Sequence, residues 1–276
     1  MEQVIETAHS KGIPSGSHYM SPGMFLGQDG TTHLAATQRL GFARTMSKTG
    51  ESYADIPALY GEGNRFAITT LFTTDFISPS DFDGDDRMEL MPSWITEKLM
   101  EAISENDGQP NDPNCETAEC REAQTLKEIN DAGGQVMVGT DAPLDYIGLG
   151  MQTNLRELVG YGWSPYDALR AATSAPAHFL GLEEDLGTVE PGKVADLIAV
   201  RGNPLEDINT LMNVELTMVG GKANTQEDLF APFNPDEQPA VSAGAGGVAT
   251  RVTEYANASV ISPDHLRNDG HDHHAH

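Results

Sequence analysis

The chain has 276 residues, enough for one large domain or two ordinary ones with a sizeable core. Its 42 acidic residues outweigh 16 basic ones, for a formal charge of −26, which argues against nucleic-acid phosphates or anionic membranes as partners. No apolar run approaches the ~18 residues of a membrane span, so the sequence predicts no membrane span, while metal cations and cationic substrates remain compatible with the charge.

The opening "MEQVIETAHSKGIPSGSH" lacks the basic and long apolar regions of a secretory signal. Val4, Ile5 and Ala8 share one helical face and Gly12 follows as a stop, so the chain starts partway through a helix-then-strand unit. That start predicts a missing preceding segment. The compartment stays open between cytoplasmic and, if a leader once preceded Met1, periplasmic.

"GIPSGSH" (12–18) reads as a short strand ending at His18, and "GTTHL" (30–34) as a second containing His33. A helix is expected over 53–60. "RFAITTLF" (65–72), rich in β-branched and aromatic residues, is a third strand. Residues 75–122 hold 14 acidic against 3 basic residues, and read as a solvated excursion with one helix near 94–103, or as a lid over a site. Within it, Cys115 and Cys120 are the only cysteines; their spacing fits no zinc ribbon, and they could form a small disulfide loop or stay as free thiols.

A helix over 117–132, ended by Gly133-Gly134, leads into "QVMVGTDAP". Val136-Met137-Val138 suits a strand covered on both faces, and Pro143 blocks any further ladder. Asp141 therefore falls at a strand's C-terminal tip. "SPYDALRAAT" carries helix-start punctuation in Ser164, Pro165 and Asp167, and "APAHFLG" is a short helix closed by Gly181. Strands follow at 194–200 and within 214–222. Beyond Pro232 the composition decays into a low-complexity, disordered tail ending in "DHLRNDGHDHHAH".

His18, His33 and Asp141 share one grammar: each ends, or nearly ends, a predicted parallel strand. Strands of one sheet bring such tips together, and two imidazoles with a carboxylate suit zinc, with iron, manganese or nickel as alternatives.

The run "GTDAP", followed by "LRELVGYGWSPYDALRAATSAPAHFLGLEEDLGTVEPGKVADLIAV", resembles the C-terminal half of the amidohydrolase superfamily, nearest its prolidase-like and imidazolonepropionase-like branches. "GSHYMSPGMFLGQDGTTHL" is similar to the fifth and sixth barrel strands of that superfamily. The resemblance implies an α/β fold: a partial (β/α)8 TIM barrel of about four βα units over 1–182, a small β-sandwich element over 183–232, and the tail over 233–276. It implies metal-dependent hydrolysis of C–N bonds in a small molecule or short peptide. His18 and His33 would be metal ligands; Asp141 would bind metal and take a proton from the attacking water. Tyr19, Arg44, Tyr53 and Tyr146 are candidate substrate contacts.

The sequence also departs from the family. A first-strand His-x-His pair is absent, and Lys11, Lys48, Lys98 and Lys127 fall on predicted helices or loops rather than in the metal-bridging slot. The His-x-His spellings, at 271–273 and 274–276, lie in the tail. Half a barrel exposes two sheet edges, so the expected partner is a missing N-terminal half-barrel or a second copy. The alternatives to an incomplete hydrolase are a non-catalytic remnant or an oligomerising binding module, or a metal-handling tail.

Overall fold

The β-branched run at 66–69 and the apolar run at 136–138 fold as neighbours, and a parallel sheet grows outward from that pair. The computed structural model of the protein describes residues 1–18, 23–32, 34, 55–62, 65–71, 76–83, 88, 93–105, 107–108, 112, 114–140 and 148–230. In chain order the elements are α1 (Glu2–His9), β1 (Gly16–Ser17), β2 (Gly30–Thr32), α2 (Asp55–Glu62), β3 (Phe66–Thr69), α3 (Ser93–Ala102), α4 (Ala118–Asp131) and β4 (Gln135–Val138). They continue with α5 (Gly150–Gly160), α6 (Pro165–Ala172), α7 (Ser174–Phe179), β5 (Leu197–Val200), β6 (Val214–Val219), β7 (Lys222–Thr225) and α8 (Gln226–Phe230). The chain divides into two compact units, Met1–Gln226 and Glu227–His276.

The first sheet has the order β1-β2-β3-β4, every pair parallel. Parallel strands in sequence order, with α2 between β2 and β3 and α3 and α4 between β3 and β4, are consistent with half of the expected (β/α)8 barrel. One register row runs Ser17–Thr31–Ala67–Val136. Residues alternate across it. Thr31, Ala67, Val136 and Val138 face the helices, where Ala67, Val136 and Val138 join Tyr60 of α2, Leu126 and Ile129 of α4, and Leu155 and Leu158 of α5 in the main core.

At the strands' N-terminal end, Gly30 pairs with Phe66 so closely that a Cβ on Gly30 would sit 2.3 Å from the Phe66 carbonyl oxygen and 2.4 Å from its ring. The Phe66 ring packs against Phe179 of α7, with centroids 4.4 Å apart. The small residues Gly16 and Gly30 thus make the space that a large ring fills.

α4 shows how the sequence sets its own limits. Thr117 caps its start by accepting from Cys120 N at 3.3 Å. Its end is a Schellman turn: Gly134 N donates to Ile129 O, Gly133 N donates to Asn130 O, and Gly133 has φ +90°. Cys120, Ala123, Leu126 and Ile129 recur every three residues and form the buried stripe. α6 begins as its punctuation predicts, Ser164 Oγ accepting from Asp167 N at 3.0 Å.

Three findings differ from the sequence reading. The acidic stretch is not only a solvated excursion: Phe76, Ile77, Phe82, Leu99 and Ile103 are buried, and the last four join Leu149 in a second core. Apolar residues spaced between the acids supply that core, while the charge excess masks them in the composition. α5 is an additional helix; it is enclosed on most sides, so its buried face includes Thr153, Asn154, Arg156 and Glu157 and no amphipathic stripe betrays it. β7 extends the antiparallel sheet β5-β6-β7 beyond the strands read from the sequence. The expected tail over 233–276 lies outside the described residues. No helix among the described residues is long and apolar enough to cross a membrane.

Gly30→Ala is expected to destabilise the chain by about 1–3 kcal/mol, because the new methyl meets backbone as well as ring. Urea unfolding measures it, and a variant with unchanged midpoint would show that β2 and β3 do not meet in this register.

The Tyr60 hydroxyl is hydrogen-bonded to Thr31 Oγ1 at 2.5 Å, and burial pushes its phenol up to about 12 from an ordinary 10.0. The folded state keeps this proton where the unfolded chain has lost it. The associated stability, roughly 2–3 kcal/mol, is therefore complete below pH 10 and is lost as pH rises toward 12. Urea midpoints should fall across that window in the wild type and less steeply in Tyr60→Phe.

Candidate functional site at the strand tips

Because β1 to β4 are parallel and adjacent, their C-terminal ends share one edge of the sheet, the edge that carries chemistry in α/β barrels. His18 follows Ser17, the last residue of β1, and its side chain is exposed. The chain leaves β2 at Thr32 directly into His33, and leaves β4 at Val138 three residues before Asp141. Counted from the row Ser17–Thr31–Ala67–Val136, His18 is one residue beyond it, His33 two and Asp141 five. His33, Asp141, Tyr19, Arg44, Tyr53 and Tyr146 themselves lie outside the described residues. Of the seven candidate residues the structure places His18.

The ground beneath this edge is firmly built. Asp29, just before β2, accepts from Ser15 N at 2.6 Å, Ser15 Oγ at 2.8 Å and His9 Nε2 at 2.7 Å. Burial opposes the Asp29 charge, but the His9 and Ser15 hydrogen bonds outweigh it and hold the carboxyl below its usual range. The cluster ties α1 to the starts of β1 and β2. Gln28 adds a second tie, accepting from Ser17 Oγ at 2.9 Å. Beyond β3, Leu71 N donates to Asn154 Oδ1 at 2.6 Å, and Asn154 Nδ2 donates to Gly150 O at 2.7 Å. This fully buried amide locks α5 against the end of β3. Sequence reasoning missed Asn154, since a polar residue inside an unassigned segment carries no signal before the helix around it is known.

A second group of ligand-type residues sits at the start of α4: Asp112, Cys115 and Cys120 bring one donor atom each within 4.8 Å of one another. The two cysteines are joined as a disulfide, with Cα atoms 5.3 Å apart, which resolves the alternatives left open by their spacing. Bonded sulfurs are not thiolate ligands, so this group is a clasp. Asp112 accepts from Glu116 N at 2.6 Å, Thr117 N at 3.0 Å and Thr117 Oγ1 at 2.6 Å. Burial pushes its carboxyl up, but these bonds and the nearby Arg121 charge together outweigh that, so it stays below its ordinary value. Arg121 Nε donates to Cys115 O at 3.1 Å, holding Cys115 in a left-handed conformation at φ 55°.

Residues 90–223 match the amidohydrolase family. No curated protein is a significant match to the chain. Among solved structures, a Xaa-Pro dipeptidase is similar at 22% identity and TM-score 0.52, over 81% of this chain and 48% of that one. Molinate hydrolase is similar at 16% identity and TM-score 0.56, over 87% and 48%. Phenylurea hydrolase B is similar at 19% identity and TM-score 0.54, over 88% and 49%. At these identities the likeness is one of fold. The chain spans about half the length of these structures.

Replacing both cysteines, as Cys115→Ser with Cys120→Ser, should lower unfolding stability by about 2 kcal/mol, the scale for closing so short a loop. Dithiothreitol should bring the wild type to the same urea midpoint. Equal midpoints for oxidised and reduced wild type would show that the clasp adds nothing.

Proposed function

We propose that this chain, whose residues 90–223 match the amidohydrolase family, supplies half of the barrel of a metal-dependent hydrolase that cleaves C–N bonds in a small molecule or short peptide. The observation that carries the reading is the order of the strand tips. His18 and His33 directly follow the last residues of β1 and β2 in the chain, and Asp141 comes three residues after the last residue of β4, three strands whose C-terminal ends share one edge of the parallel sheet.

Two imidazoles and a carboxylate are the donor set of a borderline divalent ion, zinc first, then iron, manganese or nickel. His18 and His33 would hold the ion as neutral ligands, and Asp141 would complete the set on this half. When bound, a divalent ion supplies the Lewis acidity that activates water and polarises the scissile carbonyl. Asp141 would take a proton from the attacking water and return it to the leaving nitrogen, a transfer that requires its carboxylate within hydrogen-bond reach of both. Tyr19, Arg44, Tyr53 and Tyr146, which follow strands one, two and four in the chain, would line the substrate side.

The open sides of the sheet point to the partner. Among the described residues β1 and β4 each have one neighbour, so each presents an unpaired edge. A second half-barrel, from another segment or a second copy, would cover those edges and add the remaining ligands. The same edges favour the second reading, an oligomerising module without catalysis.

Metal content separates the two. Under the hydrolase reading, zinc titration followed by elemental analysis should show binding that weakens at least tenfold in His18→Ala, His33→Ala and Asp141→Asn, and that survives removal of residues 264–276. Binding that depends on the tail and ignores all three substitutions would overturn the strand-tip site. Sedimentation then asks whether a stable dimer persists in those variants, which the module reading requires.

A further inference from the structure

Three donor atoms converge at the start of α4. Asp112, Cys115 and Cys120 each bring one to within 4.8 Å of the other two. The disulfide joins two of them, but other interactions also hold their positions. Asp112 accepts from Glu116 N, Thr117 N and Thr117 Oγ1. A carboxylate has about four acceptor sites, so these three bonds leave Asp112 able to accept from one more group. Arg121 Nε donates to Cys115 O at 3.1 Å, and Cys120 N donates to Thr117 Oγ1 at 3.3 Å. Farther along, α4 is fixed by the buried Ala123, Leu126 and Ile129 and by the Trp163 Nε1 bond to Ala123 O at 2.8 Å. None of these interactions uses a sulfur atom. Opening the sulfur–sulfur bond therefore leaves three donors on a scaffold that stands without it.

The sulfurs are also placed for thiolate chemistry. Cys120 is the third residue of the 14-residue α4, where the unpaired N–H groups and dipole of a helix start favour a thiolate. Arg121 follows it with a positive charge. Cys115 is half-buried where Cys120 is buried, so attack on the bond would come from its side. The chain has no other cysteine, which excludes a site of four thiolates. Two thiolates and a carboxylate remain a zinc donor set, and four intervening residues lie within the spacing that zinc accepts between paired cysteines.

We propose that the Cys115–Cys120 disulfide is the closed form of a redox-gated zinc site. A dithiol reductant passes two electrons and two protons to the bond, yielding two thiols and its own disulfide. Zinc then displaces both thiol protons to solvent. Cys115 Sγ, Cys120 Sγ and one carboxylate oxygen of Asp112 hold the ion, with water in the fourth position. Reoxidation removes both thiolates and releases it. None of these residues belongs to the strand-tip site, so the inference stands apart from the hydrolase reading.

The test is cobalt(II) titration of the whole chain, oxidised and after reduction by a phosphine. The phosphine takes the oxygen of a water as the disulfide gains two hydrogens, and it leaves no competing thiol. Thiolate-to-cobalt charge-transfer absorption requires coordinated cysteine sulfur. The strand-tip residues offer none, so the signal reports this site alone. The oxidised chain should show no such absorption. The reduced chain should show it, saturating at one equivalent and lost on adding zinc. Cys115→Ser, Cys120→Ser and Asp112→Asn should each weaken cobalt binding at least tenfold. Should Asp112→Asn fail to fold, as its circular dichroism would show, the serine variants carry the test, because they leave the Asp112 bonds in place. Absence of the absorption in the reduced chain, loss of its helical circular dichroism on reduction, or unchanged cobalt affinity in the folded variants would each overturn the proposal.

Discussion

Every functional statement about this chain depends on the parallel register of four short strands. Ser17, Thr31, Ala67 and Val136 stand in one row, and parallel pairing in sequence order leaves all four C-terminal ends on the same edge. A slip of one residue in any pair would turn that strand's helix-facing residues to the other side. The register is held by shape at one end, where Gly30 admits the Phe66 backbone and ring, and by chemistry in the middle, where Thr31 meets Tyr60.

The helices are then attached by polar ties as well as by apolar area. Trp163 Nε1 donates to Ala123 O at 2.8 Å, joining the turn after α5 to α4. Asn154 spans from its own helix to the chain beyond β3. Such bonds are modest in net stability but costly to leave unmade once buried. They fix angles that a greasy interface would leave loose. The Asp112 and disulfide clasp does the same for the start of α4, where a loop rich in acids would otherwise fray.

Charge and edges together describe how such a molecule would associate. The excess of acidic residues disfavours nucleic acid and favours cations. Among the described residues β1 and β4 each have one strand neighbour, and the chain spans about half the length of the solved structures it resembles.

The sequence by itself determined the local structure: the cap at Ser164, the Gly133-Gly134 stop, the strands around 66–69 and 135–138, and the grammar placing His18, His33 and Asp141 after strands. Each is set by neighbours along the chain, through hydrogen bonds to nearby backbone or through a simple period, so each could be read without coordinates. Tertiary structure alone decided the union of Cys115 with Cys120, the second core hidden under the acidic stretch, and the enclosure of α5 with Asn154 and Arg156 inside. Those outcomes depend on what packs against a residue from far away in sequence. Burial turns a polar side chain from a surface ornament into a structural tie, and no local pattern encodes it.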